Sequence, residues 1–337
     1  MPMSSPSRRS TIVTLSKLAG VAPSTVTRAL RGDTRISEKT RQRIAALAQE
    51  QGYTPNVLAR TLSSGRSGLY GLILGPSSNP FYSELLHEAT RQVESLGYRF
   101  LIIHAGSGPV EERTAEALLQ YQVDGCLVSS AIQSSRVAEV CEKNAVPLVM
   151  VNRVALQHGC AVTCDNRAGG RDLARLLLES GRRKFAVVTT SSYSSTAQER
   201  EDAFVDELAR AGLSLAHRYD GKSHYEGGYE AGLELAKLSG AQRPDAVFAL
   251  SDIMAMGLLD ALRLKGVAVP SDMAVVGFDG LPAAARPIYD LTTIEQPLTT
   301  MIERAFALLA NRVATPSLPD ETISLKGRLL IRGSSGG

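Results

Sequence analysis

From Leu69 onward, short apolar runs alternate with amphipathic stretches, and this alternation restricts the fold more than any other feature of the sequence. The runs are "LYGLILG", "RFLIIHA", "GCLVSS", "PLVMVN", "AVTCD", "KFAVVTT", "AVFALS" and "MAVVGFD". Strands covered on both faces read as near-continuous apolar segments, and parallel strands need crossover helices between them. Helical spacing follows most of the runs, over 81–96, 110–121, 136–144, 168–179, 197–211, 225–238 and 253–264, with a late helix over 297–312. The chain therefore predicts an α/β fold with two sets of βα units, one on each side of about residue 165. In open α/β lobes ligands sit at the carboxyl ends of the strands, so a cleft between the two lobes is the expected binding site.

The segment before Leu69 has a different character. Thr11 is placed to cap a first helix from Ile12 to Leu18. Pro23 starts a second helix, because a proline at the first helical position gives up no hydrogen bond. Gly32 ends that helix, and Ser37 caps a third that stops at Gly52. Only Ala19, Gly20, Val21 and Ala22 separate the first two, which fits a helix-turn-helix. Residues 1–66 hold eleven Lys and Arg against three acids, a net +8, while the rest of the chain carries −5. A basic head on an acidic body points to a polyanionic partner. "YTPNVLARTLSSGRSG" then reads as a short, marginal helix and a flexible exit.

Other chemistries find little support. Cys126, Cys141, Cys160 and Cys164 read as small buried hydrophobes, and no second ligand pair completes a metal site. No nucleophile elbow, zinc-protease motif, P-loop or dinucleotide-binding glycine pattern occurs, and the five histidines are scattered. No catalysis and no cofactor are expected. The amino-terminal residues lack the apolar core of a secretory signal and no window is apolar enough to span a membrane, so the expected location is the cytoplasm. That absence and the basic head argue against a transporter's solute-binding protein; the missing catalytic constellation argues against a sugar-active enzyme.

The head from Thr11 to Ser67 resembles the DNA-binding segment of the LacI/GalR-type bacterial transcription regulators. The body echoes the same family in "NPFY", "VDG", "CDNRAGG", "SDIMAMG", "VVGFD" and "LTTIEQP". The resemblance implies a helix-turn-helix domain over 1–54, a hinge helix and linker over 55–66, and an effector-binding, dimerising core over 67–337. It further implies a core like periplasmic sugar-binding proteins, built from doubly wound parallel sheets. Its N-lobe would take about 67–165 and 293–321, and its C-lobe about 166–292 and 322–337. The implied partners are double-stranded operator DNA, a second copy of the chain and a small polar effector, a sugar or sugar acid, whose binding controls a repressor.

By position, the resemblance makes Pro23, Ser24 and Arg28 the base-reading residues. An arginine there can bond a guanine bidentately. Thr25, Thr27 and Asn56 are assigned to phosphates, Thr11 joins the DNA-binding set, and Leu62 is the expected minor-groove wedge. Ser77, Phe81, Asn152, Arg200, Ser251, Asp252, Asp279 and Gln296 are the expected effector-binding residues. The sequence departs from the family pattern at Val13, Thr14, Arg31, Ala203, Ser251 and Gly280. It also has no tryptophan to stack on a sugar, and no heptad tail is read after Gly327.

Overall fold

Three short helices build the head around one small core. Thr11 caps α1 (Ile12–Ala19), its hydroxyl accepting the Thr14 N–H at 3.2 Å. Gly20 closes α1 in the left-handed region, at φ 62°, where glycine has no Cβ to clash. Pro23 opens α2 (Pro23–Leu30) and Ser37 caps α3 (Glu38–Glu50). Leu15, Ala19, Val26, Ala29, Ile44 and Ala48 are buried together. The computed structural model describes residues 10–53, 66–75, 78–104, 112–129, 135–154, 159–190 and 194–336. The chain divides into two units, Met1–Ser67 and Gly68–Gly337.

The second unit holds two six-stranded sheets. The first contains β1 (Leu69–Leu74), β2 (Arg99–His104), β3 (Gly125–Ser129), β4 (Leu148–Val151), β5 (Cys160–Cys164) and β11 (Thr322–Leu325), in the order β11-β5-β4-β3-β1-β2. The second contains β6 (Phe185–Thr189), β7 (Leu215–Asp220), β8 (Ala246–Ala249), β9 (Ala274–Asp279), β10 (Thr292–Glu295) and β12 (Arg328–Leu330), in the order β12-β10-β9-β8-β6-β7. All pairs are parallel except β10 with β12. Each sheet therefore reverses its winding beside its first strand, which opens a crevice at the strand ends.

Helices cover the sheets, as crossover connections require. They are α4 (Phe81–Ser95), α5 (Glu112–Gln120) and α6 (Ser135–Lys143) in the first lobe, then α7 (Asn166–Glu179), α8 (Ser195–Arg210), α9 (Tyr225–Lys237) and α10 (Asp252–Leu264) in the second. The last, α11 (Leu298–Ala314), returns to the first lobe and packs on α4, β4 and β5. The helices α9 and α10 touch backbone to backbone. A Cβ on Gly228 would lie 2.0 Å from the Met254 carbonyl oxygen, so no larger residue fits there.

Two lobe boundaries differ from the expectation drawn from the sequence. Residues 293–295 belong to the C-lobe sheet, because β10 pairs with β9 from Thr292↔Val276 to Glu295↔Asp279. Residues 322–325 belong to the N-lobe sheet, where β11 pairs with β5. The polar "TT" of β10 tolerates full burial because both hydroxyls are bonded, Thr292 to the Arg332 carbonyl and Thr293 to Asp252. The chain thus crosses between lobes three times, after β5, at Gln296–Pro297 and at Lys326–Gly327.

Candidate functional site

A cavity of about 160 Å³ lies between the lobes. Phe81, Tyr82, Asn152 and Arg153 line it from the first lobe, following β1 and β4. Thr196, Arg200, Ser251 and Asp279 line it from the second, following β6, β8 and β9. These are the carboxyl ends of parallel strands, where side chains from separate loops converge. Two of the wall residues hold unusual backbone angles for non-glycine residues, Asn152 at φ 57° and Asp279 at φ 136°. Such conformations persist where the surroundings enforce them, and they gather at ligand sites.

Three buried polar atoms of this wall have no hydrogen-bond partner among the described residues: Asn152 Oδ1, Ser251 Oγ and Asp279 Oδ2. Leaving such an atom unsatisfied costs about 1–3 kcal/mol, so the trio is a coherent demand for a ligand. A carboxylate oxygen and an amide oxygen accept, and a hydroxyl does either. The complement is a compact molecule rich in hydroxyl or N–H donors.

Arg200 supports this wall from behind. Its Nε donates to Asn166 Oδ1 at 2.9 Å, and its Nη1 donates to the Leu250 carbonyl at 2.8 Å and to Asp279 Oδ1 at 3.3 Å. The guanidinium lies 3.7 Å from the centre of the Phe278 ring. Gln296 Nε2 also donates to Asp279 Oδ1, at 2.8 Å. Asp279 is therefore fixed through one oxygen and presents the other.

The expected effector residues separate accordingly. Phe81, Asn152, Arg200, Ser251 and Asp279 meet at the cavity. Asp252 and Gln296 are not among the residues that line this cavity. Gln296 braces Asp279 from the lobe crossing. Asp252 is fully buried; it accepts the Thr293 hydroxyl at 2.6 Å and the Leu281 N–H at 2.8 Å, and so pins the turn after β9. Ser77 lies outside the described residues.

Burial, reinforced by the charge of Asp279, pushes the Asp252 carboxyl from 3.8 up to about 7. Below about pH 4 folded and unfolded chains both keep this proton, and above that the unfolded chain releases it first. Core stability is therefore expected to fall as pH rises from about 4 to about 7. Denaturant melts across that range check this. Asp252→Asn should flatten the slope, since its amide oxygen can accept the Leu281 N–H while its N–H₂ donates to the Thr293 hydroxyl oxygen.

On the head, Pro23, Ser24 and Arg28 are exposed along α2, while Val26 and Ala29 face the core. Thr25 and Thr27 are half-buried, and the Thr27 hydroxyl donates to the Pro23 carbonyl at 3.0 Å. The Thr11 hydroxyl is engaged in its cap. Some of the basic side chains are engaged within the head. Arg43 donates to the Ala19 carbonyl at 2.7 Å, and Arg41 to the carbonyls of Asp33 and Ile36. Asn56 and Leu62 lie outside the described residues.

Tyr82 and Arg153 escaped the reading of the sequence. Arg153 donates to the Tyr82 hydroxyl at 3.1 Å and to the Thr196 hydroxyl across the cleft. In the sequence it is one arginine after a strand, with partners 71 and 43 residues away. Its place beside Asn152 is the only local signal. No group of three His, Cys, Asp or Glu converges among the described residues, and all four cysteines are free and buried. No described helix is long and apolar enough to cross a membrane.

Comparison with known proteins adds a second line of observation. The sequence pattern of the bacterial regulatory proteins of the lacI family matches residues 11–56, and that of the periplasmic binding protein-like domain matches residues 174–335. The ribose operon repressor of Escherichia coli (strain K12) is 32% identical over 330 residues, covering 96% of this chain and 99% of that protein. The structure of a transcriptional regulator CelR–cellobiose complex is similar with a TM-score of 0.71 at 28% identity, over 97% of this chain and 100% of the other. A lac repressor dimer bound to operator and an anti-inducer shares the fold, with a TM-score of 0.88 at 21% identity, over 97% of this chain and 99% of the other.

Proposed function

Since the chain belongs to the LacI family of bacterial regulatory proteins, we propose that it represses transcription as a homodimer on a near-palindromic operator and that a compact polar effector between the lobes controls its affinity. The three unpartnered polar atoms in the inter-lobe cavity carry the effector half of this reading. They come from both lobes, Asn152 from one and Ser251 and Asp279 from the other. A ligand that satisfies all three favours one lobe arrangement, and the coupling to DNA is reciprocal. Relatives that include a ribose operon repressor and a regulator in complex with cellobiose make a sugar the first class to try. The reading includes no catalytic step.

A thermal-shift screen of sugars, sugar acids and nucleobases tests the effector site. A ligand present at about 100 times its Kd stabilises the folded state by about 2.7 kcal/mol. Failure of every donor-rich compound to raise the melting temperature counts against the cavity as the effector site.

The head would place α2 in the major groove with Ser24 and Arg28 toward the bases. Arg28→Ala is expected to cost about 1–3 kcal/mol on the operator and to relax preference at one base pair per half-site. Binding-site selection with the variant checks this. Equal weakening on every sequence would make Arg28 a phosphate contact.

A further inference from the structure

Asp33 is the one acid in the head that directly follows the exposed helix α2. Its backbone N–H donates to the Arg28 carbonyl at 3.1 Å, which holds the residue at the carboxyl end of that helix. The other two acids of residues 1–66, Glu38 and Glu50, both lie on α3. A carboxylate at this end of a helix is unfavourable with the helix dipole. It also repels phosphates, and it offers a competing partner to any guanidinium that must reach a base.

Arg35 closes over that carboxylate. Its Nε donates to Asp33 Oδ1 at 3.0 Å and Oδ2 at 3.2 Å, its Nη2 to Oδ2 at 2.7 Å, and its backbone N–H to Oδ1 at 3.0 Å. The fork and the backbone donor together engage both oxygens. The Asp33 side chain is left 16% exposed, against 76% for Arg35. These hydrogen bonds, with a smaller contribution from the charge of Arg28, hold the Asp33 carboxyl at about 2. The acid is therefore ionised throughout the working pH range. A surface ion pair of this kind adds little to stability, so its position calls for another use.

We propose that Arg35 is a positioning residue for operator reading: by engaging Asp33 it keeps that carboxylate from capturing Arg28, so that the Arg28 guanidinium stays available to a base. The proposal rests on the DNA-binding reading above. Arg35 itself need not touch DNA.

The test uses the full chain and two duplexes, one enriched by the wild-type protein from a randomised pool and one scrambled. Arg35→Ala is expected to weaken binding to the enriched duplex about tenfold or more, the scale of a lost bidentate base contact, and to change the scrambled duplex much less. Adding Asp33→Asn to Arg35→Ala should restore most of the loss, because no carboxylate is left to compete. Arg35→Ala binding like wild type overturns the proposal. So does a loss that Asp33→Asn does not rescue, which would make Arg35 a DNA contact. Loss of the head's helical circular dichroism in Arg35→Ala would make the pair structural and overturn it equally. Should the wild-type chain enrich no duplex at all, the DNA-binding reading fails instead.

Discussion

Operator affinity is expected to fall about 10³- to 10⁵-fold between roughly 50 and 200 mM salt, the range for a protein making about 6–10 phosphate contacts. The motive is the +8 head, duplicated in a dimer. The structure refines which charges contribute. Arg35 is paired with Asp33, and Arg41 and Arg43 donate to carbonyls inside the head. Lys17, Arg28 and Lys39 remain exposed. Gel-shift titrations at several salt concentrations give the slope. Lys39→Ala should reduce it by about one per head if that side chain meets a phosphate, whereas Arg41→Ala should leave it unchanged. A slope near zero for the wild-type chain would show that charge does not drive binding.

Asp279→Ala is expected to cost about 3–5 kcal/mol of core stability, because it leaves the buried Arg200 guanidinium without its carboxylate. The pair is almost wholly removed from solvent, with side chains 6% and 3% exposed. Asp279→Asn separates stability from recognition. It can keep an oxygen toward Arg200 and Gln296 while replacing the free acceptor with a donor. Effector affinity should then drop about 10- to 100-fold, the scale of a lost charge-assisted hydrogen bond, and operator binding without effector should be nearly unchanged. Calorimetry on the folded variant decides: undiminished effector affinity would remove Asp279 from the site.

The sequence reveals buried strands far more readily than edge strands. β6, β8 and β9 are uninterrupted apolar runs because helices cover both faces. β7 alternates half-buried with exposed residues in "LAHRYD", and β11 and β12 are only four and three residues long. None of these edges has a run to read, and the two short ones decide where the chain changes lobe. The site follows the same logic. Asn152 and Asp279 stand at strand ends and can be found by position. Asp252 and Gln296 occupy similar positions, but their orientation depends on Thr293, Leu281 and Asp279, which only the folded β9–β10 pairing brings close. The Arg35–Asp33 pair is adjacent in sequence, yet a charge count weighs Arg35 like every other cation.

The three crossings also govern how the protein can be made. Synthesis proceeds from the amino end, and domains tend to fold as units once they have emerged. The core of the head draws only on residues within 10–53 and can close early. Neither lobe has that option. The first sheet awaits Thr322–Leu325 and the second awaits Arg328–Leu330, although most of their strands emerge far sooner. On the ribosome both sheets therefore carry an open edge for nearly the whole of translation, and both are completed within a few residues of each other. A message broken before that point yields a head attached to two unfinished lobes, each with a bare strand edge for chaperones or proteases to detect.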